Sequence, residues 1–167
     1  MASQRHKALR VGLAYIYLSY DKQGQQTALI VLQSILKQLA SQLETLPSAL
    51  DRDYLRNRDL SINGVFEIIS ECSTKLFSVF LLIDALDECD KREREILMPF
   101  LQLLLNSGVK LYITARTGFT VSLTPPESAV SQLTISAKQE DLKVFVLERL
   151  KLRIPNMNWM NQIEKPS

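Results

Sequence analysis

The stretch that most constrains the fold is a short apolar run that ends in a group of acidic residues. Residues Val79 to Ile83 are apolar, and Asp84, Asp87 and Glu88 follow them closely. The run is too short for a membrane span, and its composition is typical of a strand buried on both faces. In open α/β sheets, ligands lie beyond the carboxyl ends of the parallel strands. The sequence therefore predicts a central parallel strand with these acids at its functional end.

The acids offer two kinds of chemistry. A carboxylate at a strand end can hold Mg²⁺, which keeps part of its water shell and bridges to phosphate oxygens. We assign this metal-binding role to Asp84. A nearby acid can orient or deprotonate an attacking water, so Asp87 and Glu88 are the catalytic candidates. The next acids have a structural explanation, because Asp90 and Glu93 fit a capping box at the start of a helix.

A second strand, from Val109 to about Arg116, is predicted after a helix over 91–106. Strand, helix and strand within about 37 residues is the size of a right-handed βαβ unit. Neighbouring parallel strands end at the same edge of a sheet, so we expect Arg116 beside Asp84. Arg116 is a candidate contact for the terminal phosphate of a nucleotide. An ion pair between Asp84 and Arg116, or an exposed arginine, explains the pattern equally well.

The other elements follow from periodicity and turn residues. We predict a strand from Val11 to about Ser19, a helix from its N-cap Thr27 to about Leu46, a helix from Ile62 to Cys72, a short strand from Gln132 to Ile135 and a final helix from Gln139. Helix 91–106 is expected to bury Ile96, Leu97, Phe100, Leu101 and Leu104, and the final helix to bury Leu142, Phe145, Val146 and Leu150. The charged segment 51–60 is predicted to be a solvated connector.

Composition indicates an ordinary folded domain and argues against several function classes. The chain has 167 residues, of which 46% are hydrophobic and 23% charged, which suffices for one domain with a core. A net charge of +2 with interspersed Lys and Arg gives no case for nucleic acid as a partner. We expect no membrane span, and a cytoplasmic protein with Cys72 and Cys89 reduced.

Two stretches resemble motifs of the NACHT-type NTPases, which are signal-transducing P-loop NTPases of NLR-like proteins. Leu81-Leu82-Ile83-Asp84-Ala85-Leu86-Asp87-Glu88 is similar to their Walker B motif, and Ile113-Thr114-Ala115-Arg116 to their sensor 1 motif. Tyr15-Ile16-Tyr17 and Leu36-Lys37-Gln38-Leu39 resemble the fungal branch, whose domains often precede ankyrin repeats. The resemblance covers about residues 10–152. It implies an α/β fold with a three-layer parallel sheet flanked by helices, Mg²⁺ with ATP or GTP, and the phosphate role for Arg116.

The family's Walker A motif has no counterpart in this sequence. None of the glycines fits Gly-x-x-x-x-Gly-Lys-Ser/Thr, whose amides and lysine hold the phosphates. We therefore expect a P-loop NTPase-like domain truncated at its N-terminal strand and P-loop, with little or no ATP or GTP hydrolysis. The expected organisation is a flexible tail over 1–9, a partial NACHT domain over 10–152 and a tail over 153–167 leading toward a missing downstream region.

Two other functions stay open at this point. The chain could be a non-enzymatic α/β scaffold that binds protein partners through the sheet edge or apolar surface left by missing elements. The chain could also be a Mg²⁺-dependent phosphoryl-transfer or hydrolytic enzyme that uses the acids alone, a function for which the sequence contains no further signal.

Overall fold

The computed structural model describes residues 10–48, 50, 60–124 and 131–153. The chain divides into two compact units after Val130. The tail predicted over 1–9 lies outside the described residues, as do all but the first residue of the tail predicted over 153–167 and all but the last residue of the connector predicted over 51–60.

The first unit alternates strands with helices. β1 spans Val11–Tyr17, a 3-10 helix Tyr20–Gln25, α1 Ala28–Ala40, α2 Ile62–Thr74, β2 Ser78–Asp84, a 3-10 turn Leu86–Glu88, α3 Lys91–Asn106 and β3 Lys110–Ile113. The strand order is β1-β2-β3, and both pairs are parallel. The predicted α/β fold with a parallel sheet and flanking helices is confirmed.

Side chains at the predicted positions begin the helices. Thr27 accepts a hydrogen bond from the Ile30 N–H at 3.3 Å, and Asp90 accepts one from the Arg92 N–H at 2.9 Å. α1 ends at Ala40, earlier than predicted, and a turn follows. α3 has the predicted bounds, and Gly108, just beyond its end, has the positive φ of 89° that a helix-terminating glycine often adopts.

The helices of the first unit cover one face of the sheet. Right-handed crossovers that advance in the same direction along a sheet place their helices on the same side. Ala14, Ile16, Leu81 and Ile83 are buried on this closed face. These strand side chains pack against the apolar side chains of α1, α2 and α3. Within α3, Leu97, Leu101 and Leu104 are buried as predicted, whereas Ile96 is exposed because Leu97 takes the position that faces the core.

The opposite face of the sheet is largely apolar and exposed. We call it the open face, and its apolar residues are Val11, Leu13, Tyr15, Tyr17, Phe80, Leu82 and Tyr112, of which only Phe80 is half-buried. Lys110 lies on the same face, with its Nζ 4.8 Å from the centroid of the Phe80 ring. The rings of Phe80 and Tyr112 stack with centroids 6.2 Å apart. Of the three predicted layers, the described residues 10–124 therefore show the sheet and one helix layer.

The second unit contains α4, which spans Gln139–Arg153 as predicted. Residues 131–138 have no regular structure, so the strand predicted over Gln132–Ile135 is wrong. A strand needs a neighbour to pair with, and this segment belongs to no sheet. The predicted burial of the α4 side chains Leu142, Phe145 and Val146 is also wrong, because all three are exposed. None of the described helices is long and apolar enough to cross a lipid bilayer.

Candidate functional site

The acids and Arg116 meet at the carboxyl end of the sheet. Ile83 and Ile113 are paired in the register of β2 and β3, so the residues that follow the two strands lie side by side. We call this group the rim, and it consists of Asp84, Asp87, Glu88, Thr114 and Arg116. The prediction that these strands are parallel neighbours, with Arg116 at the same edge as the acids, is confirmed.

Thr114 holds the turn that follows β2. Its hydroxyl donates a hydrogen bond to Asp84 Oδ1 at 2.5 Å and accepts one from the Ala85 N–H at 2.9 Å. Its carbonyl oxygen accepts a hydrogen bond from the Leu86 N–H at 2.9 Å. A single residue of the β3 loop therefore orients both the carboxylate of Asp84 and the backbone behind it. Sequence reasoning gave Thr114 no separate role.

Ala85 has an unusual backbone conformation. Its φ of 57° and ψ of 50° lie in the left-handed region, and among the described residues it is the only non-glycine residue with positive φ. This conformation costs an alanine about 1–2 kcal/mol, which surrounding contacts must offset. The sharp turn directs the chain into the 3-10 turn Leu86–Glu88, which presents Asp87 and Glu88 to the β3 loop.

Arg116 pairs with these two acids. Its Nε lies 3.2 Å from Asp87 Oδ2, and its Nη2 lies 2.5 Å from Glu88 Oε1. The Arg116 N–H also donates a hydrogen bond to Asp87 Oδ1 at 3.2 Å. The arginine side chain is 74% exposed, whereas those of Asp87 and Glu88 are 12% and 25% exposed. The guanidinium thus covers two acids from the solvent side, and the alternative Asp84–Arg116 ion pair is not the one formed.

The loop after β1 also reaches the rim. Glu88 Oε2 accepts a hydrogen bond from the Tyr20 N–H at 3.1 Å, and Gln23 Nε2 donates one to the Glu88 carbonyl oxygen at 2.8 Å. The rim is therefore held together by loops from all three strands. Sequence reasoning missed Tyr20 and Gln23, because contacts across 65 or more positions leave no local pattern.

The two acids predicted to cap α3 have different roles. Asp90 is the N-cap and accepts hydrogen bonds from the N–H groups of Arg92 and Glu93 at 2.9 and 3.2 Å. Glu93 does not complete the predicted capping box. Its Oε2 accepts a hydrogen bond from the Ala28 N–H at 2.7 Å and so caps α1 instead. A carboxylate is favourable there because the first N–H groups of a helix lack partners within it.

The rim contains a shallow depression and, on Asp84, which is not one of the residues lining that depression, a carboxylate oxygen available to a ligand. A shallow depression of about 220 Å³ is lined by Ala85, Asp87, Glu88, Thr114, Ala115 and Arg116. Within the described part of the chain, Asp84 Oδ2 has no hydrogen bond or ion pair. No three His, Cys, Asp or Glu side chains converge on a metal position among the described residues. Mg²⁺ usually takes one or two carboxylates together with water and phosphate oxygens, so Asp84 is the rim acid with a suitable free ligand atom.

Two neighbouring features add no chemistry to the rim. Burial raises the pKa of the Cys89 thiol, so this residue beside the acids stays protonated and is a poor nucleophile. A larger depression of about 510 Å³ lies between α3 and residues 119–122, where the Arg94 guanidinium stacks over the Phe119 ring. None of the predicted site residues lines it.

Comparison with known families assigns the chain. A family model described as "Nephrocystin 3, N-terminal" matches residues 2–116, which is more than two thirds of the sequence. The chain belongs to the nephrocystin 3 N-terminal family. The match includes all three strands and ends at Arg116, so the part of the chain that defines this family contains the complete rim.

The other comparisons add no relative. Neither a curated protein nor a solved structure matches the chain. The matched description names nephrocystin 3 and not a NACHT domain, so kinship of this nephrocystin 3 N-terminal domain with the NACHT NTPases is a proposal.

Proposed function

We propose that this nephrocystin 3 N-terminal domain is part of a nucleotide-binding domain related to the NACHT NTPases, with little or no ATP or GTP hydrolysis by these residues alone. The observation that carries the proposal is the rim. The Walker B-like acids and the sensor 1-like arginine come from separate strands, yet Arg116 lies within direct contact of Asp87 and Glu88. Acids that hold Mg²⁺ or water, together with a cation that stabilises charge on the phosphate, are the parts that phosphate chemistry uses.

The contacts suggest a role for each rim residue. Asp84 would bind Mg²⁺ through Oδ2 while Thr114 holds Oδ1 in place. Asp87 and Glu88 would orient the attacking water once their bonds to Arg116 are released. Arg116 would exchange these carboxylates for a phosphate, a movement that its 74% exposed side chain permits. Mg²⁺ would supply charge neutralisation between the phosphate oxygens.

The sequence lacks part of the phosphate-binding residues that P-loop NTPases use. No Gly-x-x-x-x-Gly-Lys-Ser/Thr segment is present in the 167 residues, so neither a cradle of amides nor a P-loop lysine is available. Arg116 and a single Mg²⁺ carboxylate are left to hold the nucleotide. We therefore infer weak, Mg²⁺-dependent binding.

A titration with fluorescent ATP and GTP tests the proposal. It compares the chain, the Asp84→Asn variant and the control Glu95→Gln, which changes an exposed acid on α3. We expect weak saturable binding that requires Mg²⁺, is lost in Asp84→Asn and is unchanged in Glu95→Gln. The same series in a longer polypeptide that carries a Walker A segment upstream should bind more tightly and keep the dependence on Asp84. Absence of binding in both polypeptides, or binding indifferent to Asp84→Asn, would contradict the proposal.

A second candidate is a protein-interaction scaffold, which the open face favours. Exposed contiguous apolar surfaces of this kind often mark binding sites for other proteins. A partner that binds the chain and Asp84→Asn equally, but not Tyr15→Lys, would support this function. Equal binding to all three proteins would exclude the open face as the contact surface.

We also propose a cytoplasmic location. Cys72 and Cys89 are free and buried, which fits a reducing compartment.

A further inference from the structure

β1 lies at an edge of the sheet, and glutamine side chains occupy its outer side. The Leu13 N–H donates a hydrogen bond to Gln42 Oε1 at 2.9 Å, and Gln42 Nε2 donates one to the Leu13 carbonyl oxygen at 2.7 Å. Gln38 pairs with Tyr15 in the same two-way manner, at 3.0 and 2.9 Å. Each amide thus satisfies both backbone groups of one strand residue.

A third glutamine extends this arrangement beyond the end of β1. Gln26 Nε2 donates a hydrogen bond to the Tyr17 carbonyl oxygen at 2.7 Å, and its Oε1 accepts one from the Ser19 N–H at 2.9 Å. We call Gln26, Gln38 and Gln42 the glutamine ladder. Six hydrogen bonds run along the strand edge where a neighbouring strand would otherwise form them.

The glutamine ladder can form because the spacing of Gln38 and Gln42 on α1 matches the spacing of the outward-facing residues on β1. Gln38 and Gln42 are four positions apart on α1, a rise of about 6 Å along a helix. Leu13 and Tyr15 are two positions apart on β1, a rise of about 6.6 Å along a strand. The glutamine amide offers a donor and an acceptor, as a peptide group does. A helix that packs beside the strand can therefore present one amide to each outward-facing residue.

The other edge of the sheet lacks such a ladder. The Thr114 N–H bonds to the Ile83 carbonyl oxygen, so by alternation the backbone groups of Leu111 and Ile113 point away from β2. Among the described residues, these outward groups have no hydrogen-bond partner. The ladder is thus specific to β1, which is also the longer edge strand.

We propose that the glutamine ladder prevents β1 from pairing with β1 of a second copy of this chain. An uncovered edge strand is a template for pairing with another chain. Antiparallel pairing around a two-fold axis at Ala14 would set Leu13 opposite Tyr15 of the second copy, and Val11 opposite Tyr17. All outward-facing backbone groups of the two β1 strands would be paired, and the two open faces would form one continuous surface. The glutamine amides occupy both backbone groups of Leu13 and Tyr15 and the carbonyl oxygen of Tyr17, which are the central groups that this pairing requires.

The proposal is tested by hydrogen exchange and molecular mass at increasing concentration of the full chain. The test variant is Gln38→Leu with Gln42→Leu. The matched control is Gln33→Leu, which makes the same change at an exposed position of α1. In the wild type and the control, we expect the Leu13 and Tyr15 amides to be protected at all concentrations and the Leu111 and Ile113 amides to exchange fast. In the test variant, protection of Leu13 and Tyr15 should fall about tenfold in dilute solution and return on concentration, together with dimer formation.

Three results would overturn the proposal. They are fast exchange at Leu13 and Tyr15 in the wild type, a test variant that stays monomeric at every concentration, and a dimer in which these amides stay unprotected. If the double variant does not fold, the single variant Gln42→Leu is measured by the same criteria at Leu13. Gln38→Glu with Gln42→Glu gives a further check, because a carboxylate can still accept a hydrogen bond from the Leu13 and Tyr15 N–H groups while its charge opposes dimerisation, so we expect a monomer at every concentration.

Discussion

The closed face and the open face of the sheet are formed by the same three strands, but only the closed face is buried. Leu81 on the closed face is 1% exposed, whereas its neighbour Leu82 on the open face is 41% exposed. Both faces are apolar in sequence, so hydrophobicity alone does not distinguish them. The difference comes from the direction of the chain connections, which places α1, α2 and α3 on one side. An apolar strand residue is thus stabilising only to the extent that another layer covers it.

The largest expected loss of stability comes from truncating Leu81 of β2, and its neighbour Leu82 serves as the comparison. Leu81→Ala removes a fully buried side chain and should lower the free energy of unfolding by about 2–5 kcal/mol. Leu82→Ala should cost below about 1 kcal/mol because much of the side chain already contacts water. Urea unfolding of both variants measures the contrast. Equal losses would mean that the open face is covered in solution.

The second prediction concerns Cys72, which lies in the helix layer over the closed face. Burial, with a smaller contribution from Glu71, raises the pKa of its thiol from 9.0 to about 11. Between these values the unfolded chain loses the proton while the folded chain keeps it, so the unfolded state binds fewer protons and stability falls as pH rises. Two pKa units correspond to about 2.7 kcal/mol.

Urea unfolding at pH 9 and pH 11 tests this pH dependence. We expect the wild type to lose about 2 kcal/mol more stability across this window than Cys72→Ala, which has no thiol at this position. Lysines and tyrosines titrate in both proteins and cancel in the comparison. Identical pH slopes would show that the helix layer admits water to Cys72.

A third prediction measures how closely α1 and the segment between α2 and β2 approach β1. A Cβ added at Gly12 would lie 2.5 Å from Leu76 Cδ1 and 3.3 Å from Leu39 Cδ2. Gly12→Ala should therefore destabilise the fold by about 1 kcal/mol, a limited cost because the Leu76 methyl group can shift. The control Gly24→Ala has no atom within 4 Å of the new Cβ and should change stability by less than about 0.5 kcal/mol. Thermal unfolding of both variants distinguishes close contact from a loose interface.

The smallest effect is expected on the open face. Val11→Thr keeps the β-branched shape and places a hydroxyl in solvent, so the change in unfolding free energy should stay within about 0.5 kcal/mol. Val79→Thr, the isosteric change at a buried position of β2, serves as the matched comparison and should cost more because its hydroxyl is desolvated. A loss of several kcal/mol in Val11→Thr, measured by urea unfolding, would contradict the assignment of Val11 to an exposed face.

Local signals were enough to predict much of the fold. The bounds of α3 follow from Asp90 and Gly108, which act within a few residues of the helix ends. The position of Arg116 beside the acids follows from strand order. The partner of Glu93 and the bonds of Gln38 and Gln42 were not predictable, because these contacts join residues 23 to 65 positions apart. The exposed side chains of α4 show the same limit, since its apolar pattern does not specify a covering layer.

The hydrogen bond between Ala85 and Thr114 determines when the rim can form during synthesis of the chain. The Ala85 N–H bonds to Thr114 Oγ1, 29 positions later in the chain. A ribosome that adds about 5–20 residues per second needs on the order of seconds to cover this distance. During that interval the acids have been synthesised, but the residue that fixes their turn does not yet exist. The rim is therefore assembled after the strand that carries its acids, and a nascent chain that stops short of Thr114 contains the acidic motif without its geometry.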